Sequence, residues 1–202
     1  MMKASCAKPS PVKHPAPDKT KQKQLPAGVQ LVCGKTVSTF RRREFTQEDL
    51  PAEPIVLARL ELDLSHYCQP LVSLDFYTMI EVRDTCRAGE SQTIGSALTF
   101  TLFKNCNGNK QILRTYEYVV NIVLVSDGDK YNIRDSFYFL YCDEHACHQD
   151  CCVYTVELTN IEVLDPEANE EDENRLQELT IEDPVLKAII QETAKLHAGG
   201  VK

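Results

Sequence analysis

The segment Cys142-Asp143-Glu144-His145-Ala146-Cys147-His148-Gln149-Asp150-Cys151-Cys152 gathers four thiols and two imidazoles within eleven residues. Thiolates and neutral imidazoles are the preferred donors of tetrahedral zinc, so Cys142, His145, Cys147 and Cys151 form a candidate metal set. Two residues separate Cys142 from His145, but no second knuckle of matching spacing follows. Adjacent Cys151 and Cys152 on an extended strand cannot easily turn both sulfurs toward one ion. The same segment offers a Cys-His pair, Cys142 with His145, of the kind that activates a thiolate. A loop histidine beside a disulfide is the simpler account of it.

The remaining cysteines favour disulfides over metal. The chain has nine: Cys33, Cys68, Cys86 and Cys106 fall at expected strand ends and turns, Cys6 lies near the N-terminus, and Cys142, Cys147, Cys151 and Cys152 crowd the loop. An odd number leaves at least one thiol without an intramolecular partner, and so open to a link with another copy. No cofactor is expected on this reading, with zinc as the alternative. Catalytic signatures are missing as well: there is no Gly-x-Ser-x-Gly elbow, no His-Glu-x-x-His helix and, with eight glycines in total, little material for a phosphate-cradling loop. The sequence therefore points away from an enzyme. His14, His66 and His197 stand alone in polar settings and receive no role.

Charge divides along the chain. Residues 1–30 carry six Lys and one Asp, whereas residues 165–183 carry nine acids against Arg175. A net charge of −8 argues against nucleic acid, which demands clustered Lys and Arg. The one basic run in the body, Arg41-Arg42-Arg43, reads as a solvated loop. Lys8, Pro9, Pro11, Lys13 and Pro15 interrupt any apolar run near the start, so neither a secretory signal nor a membrane span is expected. Synthesis in a cytosol then conflicts with the cysteine count, since cytosolic thiols stay reduced.

The elements that must position these thiols are strands. Residues 1–28 are Lys, Pro, Gln and Ala with few large apolar groups, which predicts a flexible basic arm. Residues 29–164 alternate with period two. Leu60, Leu62 and Leu64 share one face opposite Arg59, Glu61 and Asp63; Val72, Leu74, Phe76, Ile80 and Val82 share another opposite Ser73, Asp75, Tyr77 and Glu81. Leu98, Phe100 and Leu102 alternate with Thr99 and Thr101 and run into Asn107-Gly108, a dipeptide suited to a tight hairpin.

The return strand, from Leu113 to Val125, turns apolar on both faces (Val119, Val120, Ile122, Val123, Leu124), as a central strand covered on two sides would. Asp127-Gly128-Asp129 marks a turn into Tyr131–Tyr141, completing a three-stranded meander. Tyr154, Val156 and Leu158 then form the last strand, ending near Val163. Beyond it lies an acidic linker with the run Glu170-Glu171-Asp172-Glu173. Asp183 is placed to cap an amphipathic helix with Pro184 in its first turn and Val185, Ile189 and Leu196 near one face. Seven or so strands without intervening helices predict an all-β, antiparallel β-sandwich of jelly-roll or immunoglobulin-like connectivity, with a disordered N-terminal arm (1–28), a cysteine-rich body (29–164) and an acidic linker and helix (165–202).

FYFLYCDEHACHQDCCVYTVELTNIEV at 137–163, VQLVCG at 29–34 and LTFTLFKNC at 98–106 together resemble a cysteine-rich β-domain family of unknown function from clostridial spore formers. The resemblance implies the company of spore coat, exosporium and endospore-appendage subunits, made in the mother-cell cytosol without a signal peptide and oxidised after lysis. That history would resolve the cysteine conflict. The expected function is a structural, self-assembling spore-surface protein cross-linked by disulfides. Its partners would be copies of itself in an oligomer or filament, with other spore-surface proteins besides, and neither nucleic acid nor membrane. An arm carrying Cys6 would cross to a neighbouring body, with Cys147, Cys151 or Cys152 as its target, and the opposite charges of arm and tail favour that contact or an intramolecular one. A zinc-shaped β-sandwich interaction module built on the Cys142–Cys152 loop is the alternative.

Overall fold

The computed structural model describes residues 29–45, 53–65, 67, 70–85, 92–124, 130–144, 151–164 and 176–192. Every regular element among them is a strand: β1 (Gln30–Cys33), β2 (Lys35–Thr36), β3 (Phe40–Phe45), β4 (Ile55–Asp63), β5 (Pro70–Thr85), β6 (Gln92–Cys106), β7 (Asn109–Leu124), β8 (Lys130–Asp143), β9 (Cys151–Leu164) and β10 (Leu176–Glu192). They form two five-stranded antiparallel sheets. The front sheet runs β1-β10-β5-β8, with β3 also paired to β10; the back sheet runs β2-β4-β9-β6-β7. The expected arm, most of the cysteine loop and residues 165–175 of the acidic linker, with its run Glu170-Glu171-Asp172-Glu173, lie outside the described residues.

Period-two alternation does what it predicts in the body. Leu60 and Leu62 from β4, Leu64 just after it, and Val72, Leu74, Phe76, Ile80 and Val82 from β5 are all at most 2% exposed, and their polar alternates face outward. Leu98, Phe100 and Leu102 from β6 join Tyr154, Val156 and Leu158 from β9 in the same core. Aromatic rings bridge the sheets: Phe76 meets Phe100 at 6.2 Å between centroids and Phe100 stacks on Phe137 at 4.6 Å. The fold is thus sandwich-like, its two inner faces sharing one apolar core.

The hairpin at Asn107-Gly108 also forms as its residues dictate. Both take positive φ, 55° and 82°, and Cys106 pairs with Asn109 across the two-residue turn. The rest of that expectation is corrected. Among the described strands β7 pairs only with β6, so it is an edge strand and not a central one, and β8 leaves it for the front sheet, where it pairs with β5. No β6-β7-β8 meander exists. Val119 and Val123 are 48% and 63% exposed, so the apolar run marked an uncovered outer face.

A larger correction concerns the tail. Residues 183–192, expected as a helix, belong to β10, which lies inside the front sheet and pairs with β5 from Glu178 to Glu192. Period two wins over the helical reading: Leu179, Ile181, Leu186, Ala188 and Ile190 are at most 1% exposed, while Lys187 and Ile189 face out. Asp183-Pro184 caps nothing and instead makes a bulge, where the register shifts between Glu182 and Val185. Asp183 takes φ 49°, a conformation Asp tolerates, and Pro184 sits where a ladder N–H is not needed. The freed carbonyls are satisfied from both sheets: Thr78 Oγ1 donates to Glu182 O and Thr36 Oγ1 to Pro184 O, each at 2.7 Å. The strand ending near Val163 is therefore not the last.

β1 and β2 belong to different sheets although only Gly34 separates them. Gly34 N–H donates to Leu186 O at 2.7 Å, and a Cβ there would stand 2.7 Å from both Arg59 O and Leu186 O. Backbone on both sides leaves room for no side chain. Gly34→Ala is expected to destabilise by about 1–3 kcal/mol, the cost of overpacking a closed site, read as a lower urea midpoint at unchanged m-value.

Candidate functional site

Strand parity decides where each cysteine points. Cys106 on β6 stands directly opposite Cys152 on β9, both on the inner face of the back sheet. Their sulfurs form a disulfide with Cα atoms 4.6 Å apart, across a sequence separation of 46. Cys151, one residue earlier, faces outward beside Asp63 of β4 and is half-buried. Cys142 lies on the outer face of the front sheet, exposed, with its Sγ 3.6 Å from Ser73 Oγ. Cys33 is exposed on β1 at the opposite edge of that sheet.

Two of the four candidate zinc ligands can therefore be placed. Cys142 and Cys151 point away from opposite outer faces of the sandwich, so these two thiols are not brought together. His145 and Cys147 lie outside the described residues, as do Cys6, Cys68 and Cys86. Among the described residues no three His, Cys, Asp or Glu side chains are grouped to hold a metal.

Beside the disulfide lies a polar cluster that sequence reasoning missed. Lys104 Nζ and Asp143 Oδ2 are 2.6 Å apart with side chains 5% and 4% exposed. Tyr154 Oη, fully buried, donates to the same Oδ2 at 2.8 Å. The signal was available in the alternation. Lys104 follows Leu98, Phe100 and Leu102 on the core parity of β6, Asp143 follows Phe137, Phe139 and Tyr141 on that of β8, and Tyr154 occupies it on β9. Charged residues at core positions must meet a partner, because an unpaired buried charge is costly.

The Arg41-Arg42-Arg43 triplet, expected in a solvated loop, lies on β3. Arg41 Nη2 sits 2.6 Å from Glu178 Oε1, and Arg43 Nε donates to the same oxygen at 3.3 Å. Burial pushes the Glu178 carboxyl up, but the hydrogen bonds and charges of Arg41 and Arg43 outweigh it and hold the group below the ordinary glutamate range. The stability it contributes is present above that range and lost as pH falls through the depressed value.

Along the side where edges β7 and β8 approach each other, Tyr116 stacks on Phe139 at 3.9 Å and Tyr118 meets Phe137 edge-on at 5.8 Å. Burial, then the charge of Asp135 and a hydrogen bond to it, push the Tyr118 hydroxyl up to about 12. Burial likewise raises Tyr116 and Tyr141.

Outside this seam the outer face of the front sheet is apolar at its edges. Leu140 and Tyr138 on β8 are 71% and 69% exposed, and Leu31 on β1 is 62% exposed. Pairing aligns Leu31, Ile189, Ser73 and Cys142 in one row across that face and Cys33, Lys187, Asp75 and Leu140 in the next. The two exposed thiols thus stand at opposite edges in adjacent rows.

A family model described as a domain of unknown function, DUF4489, matches residues 28–171. A search of the curated proteins finds no match.

Two measurements check the geometry. Cys106→Ser combined with Cys152→Ser is expected to cost about 2–4 kcal/mol of stability, the usual range for a native cross-link, with reductant producing the same loss in the unaltered chain. A tyrosine whose hydroxyl is raised on folding contributes stability that is whole below the unfolded value near 10 and lost as pH rises toward 12. Tyr118→Phe is therefore expected to flatten the fall in stability over that alkaline interval, followed by denaturant titration at successive pH values.

Proposed function

We propose, for a chain that belongs to the DUF4489 family of unknown function, a structural role: a self-assembling subunit whose copies are cross-linked by disulfides, without catalytic activity. The observation that carries this reading is the placement of Cys33 and Cys142, both exposed, on opposite edge strands of one sheet. A thiol at each edge gives every copy two different attachment points, and a heterologous contact of that kind propagates into a filament or layer.

Strand direction supports it. β8 is antiparallel to β5, β5 to β10 and β10 to β1, so β8 runs antiparallel to β1. A second copy laid alongside can add its β1, in the same antiparallel sense, to the edge of β8 that pairs with no described strand, extending the front sheet on the side that β7 approaches. A register step of two residues keeps side chains on their own face and brings Cys142 opposite the neighbour's Cys33. The contact would also cover Leu31, Tyr138 and Leu140. Cys6, in the basic segment 1–28, supplies a further thiol for links between copies.

The resemblance to proteins of clostridial spore formers supports a spore-surface setting, where oxidation after mother-cell lysis would join the thiols. The ring contacts between inner faces support a β-sandwich of jelly-roll or immunoglobulin-like type.

The test uses full-length protein purified anaerobically and then exposed to oxidised glutathione, run on non-reducing gels with peptide mapping. A ladder that reductant collapses, shortened by Cys33→Ser and by Cys142→Ser, is the expected outcome. Monomer alone at every protein concentration would overturn the proposal.

A further inference from the structure

Lys104 and Asp143 are adjacent at the end of the sandwich, but they belong to different sheets: Lys104 to β6 in the back sheet and Asp143 to β8 in the front. Nζ approaches Oδ2 to 2.6 Å, both side chains are about as buried as the core around them, and Tyr154 Oη holds the same oxygen at 2.8 Å. From this arrangement we infer a covalent modification site, in which Lys104 Nζ and Asp143 Cγ condense to an intramolecular amide that ties the two sheets together.

The reaction needs no oxidant, reductant or activating group. A proton passes from the Lys104 ammonium to the Asp143 carboxylate along their hydrogen bond, leaving a neutral amine beside a neutral acid. The Nζ lone pair attacks Cγ and the C–N bond forms. One C–O bond breaks, and its oxygen leaves as water with two of the three ammonium hydrogens. One positive and one negative charge vanish together, so the product is a neutral amide.

Three features of the site favour each part of that sequence. Near-attack geometry places reacting atoms about 3–3.5 Å apart, and with Nζ already at Oδ2 the carboxyl carbon is one bond further on. Holding amine and acid together in this way is worth effective molarities of roughly 10⁵ M and above in well-oriented systems. Burial favours the uncharged amide over a desolvated ion pair. Tyr154 donates to Oδ2, the oxygen that takes the Lys104 proton and departs as water, and so assists its departure as a positioned acid.

The amide would complement the disulfide beside it. Cys106–Cys152 joins β6 to β9 within the back sheet and is broken by thiols. A bond between Lys104 and Asp143 joins β6 to β8 across the core and survives reductant. The inference does not depend on assembly between copies, because it concerns one chain alone.

Intact mass of the reduced, denatured full-length protein tests it, followed by digestion and fragmentation. The expected result is a mass lower than the sequence mass by one water, with a branched peptide joining the segments that contain residues 104 and 143. Lys104→Met should restore the full sequence mass. Asp143→Asn keeps the acyl carbon and changes the leaving group, so it should shed one ammonia instead, which keeps the test decisive even where Lys104→Met fails to fold. Tyr154→Phe should slow conversion by roughly 10²-fold, the scale of losing one positioned acid. Unmodified sequence mass after prolonged incubation of the folded protein would overturn the inference, and conversion of Tyr154→Phe at the original rate would overturn the part given to Tyr154.

Discussion

The front sheet depends on β10. That strand is hydrogen-bonded to β5 along one side, and along the other to β1 near its C-terminal end and β3 near its N-terminal end. Without it β1 and β3 have no neighbour in their sheet among the described strands, and the inner face of β5 loses Leu179, Ile181, Leu186, Ala188 and Ile190 from the core. The family match ends at residue 171, before this strand begins. A segment after the matched region therefore occupies the middle of the sheet. The Asp183-Pro184 bulge is part of the same arrangement: it resets the register so that both halves of β10 can bury their apolar alternates, and threonines on β5 and β2 take up the carbonyls it frees.

Gly34 is a second constraint of the same kind. The chain passes from the front sheet to the back within one residue, between the backbones of β4 and β10. Close approach of three backbones excludes any Cβ, and it sets where β1 ends and so where Cys33 comes to lie. The exposed thiol at one edge of the front sheet is positioned by a packing requirement inside the sandwich.

Polar chemistry gathers at one end of the core for a related reason. The inner parities of β6, β8 and β9 continue past the apolar layers and deliver Lys104, Cys106, Asp143, Cys152 and Tyr154 to a common region. Each is satisfied by another: the sulfurs by one another, the ammonium and the phenol by the carboxylate. Satisfaction of this sort is what lets charge stay in a buried place, since removing either partner leaves the other desolvated. The outward parities of the same strands carry the groups available to other molecules, including Cys142, Leu140 and Tyr138.

What the sequence by itself determined is local: the period-two strands of the body, the Asn107-Gly108 turn, and the opposite orientations of Cys151 and Cys152 all follow from side-chain alternation and φ preference. Those properties involve a few neighbouring residues, so they can be read from a few neighbouring letters. Even the core parity of Lys104 was legible, had the alternation of β6 been carried two residues further. Which strand lies beside which was decided only by the tertiary structure. An apolar run is the same whether it fills a central strand or leaves an edge exposed, which is why β7 looked central. Asp-Pro opens a helix or shapes a bulge according to what receives the next residues, and here an open sheet between β5 and β1 received them as β10. Cys106 could be matched with Cys152, and Lys104 with Asp143, only once the register between distant strands was set, because contacts across dozens of residues arise from burying a shared core and not from any preference of the residues that make them.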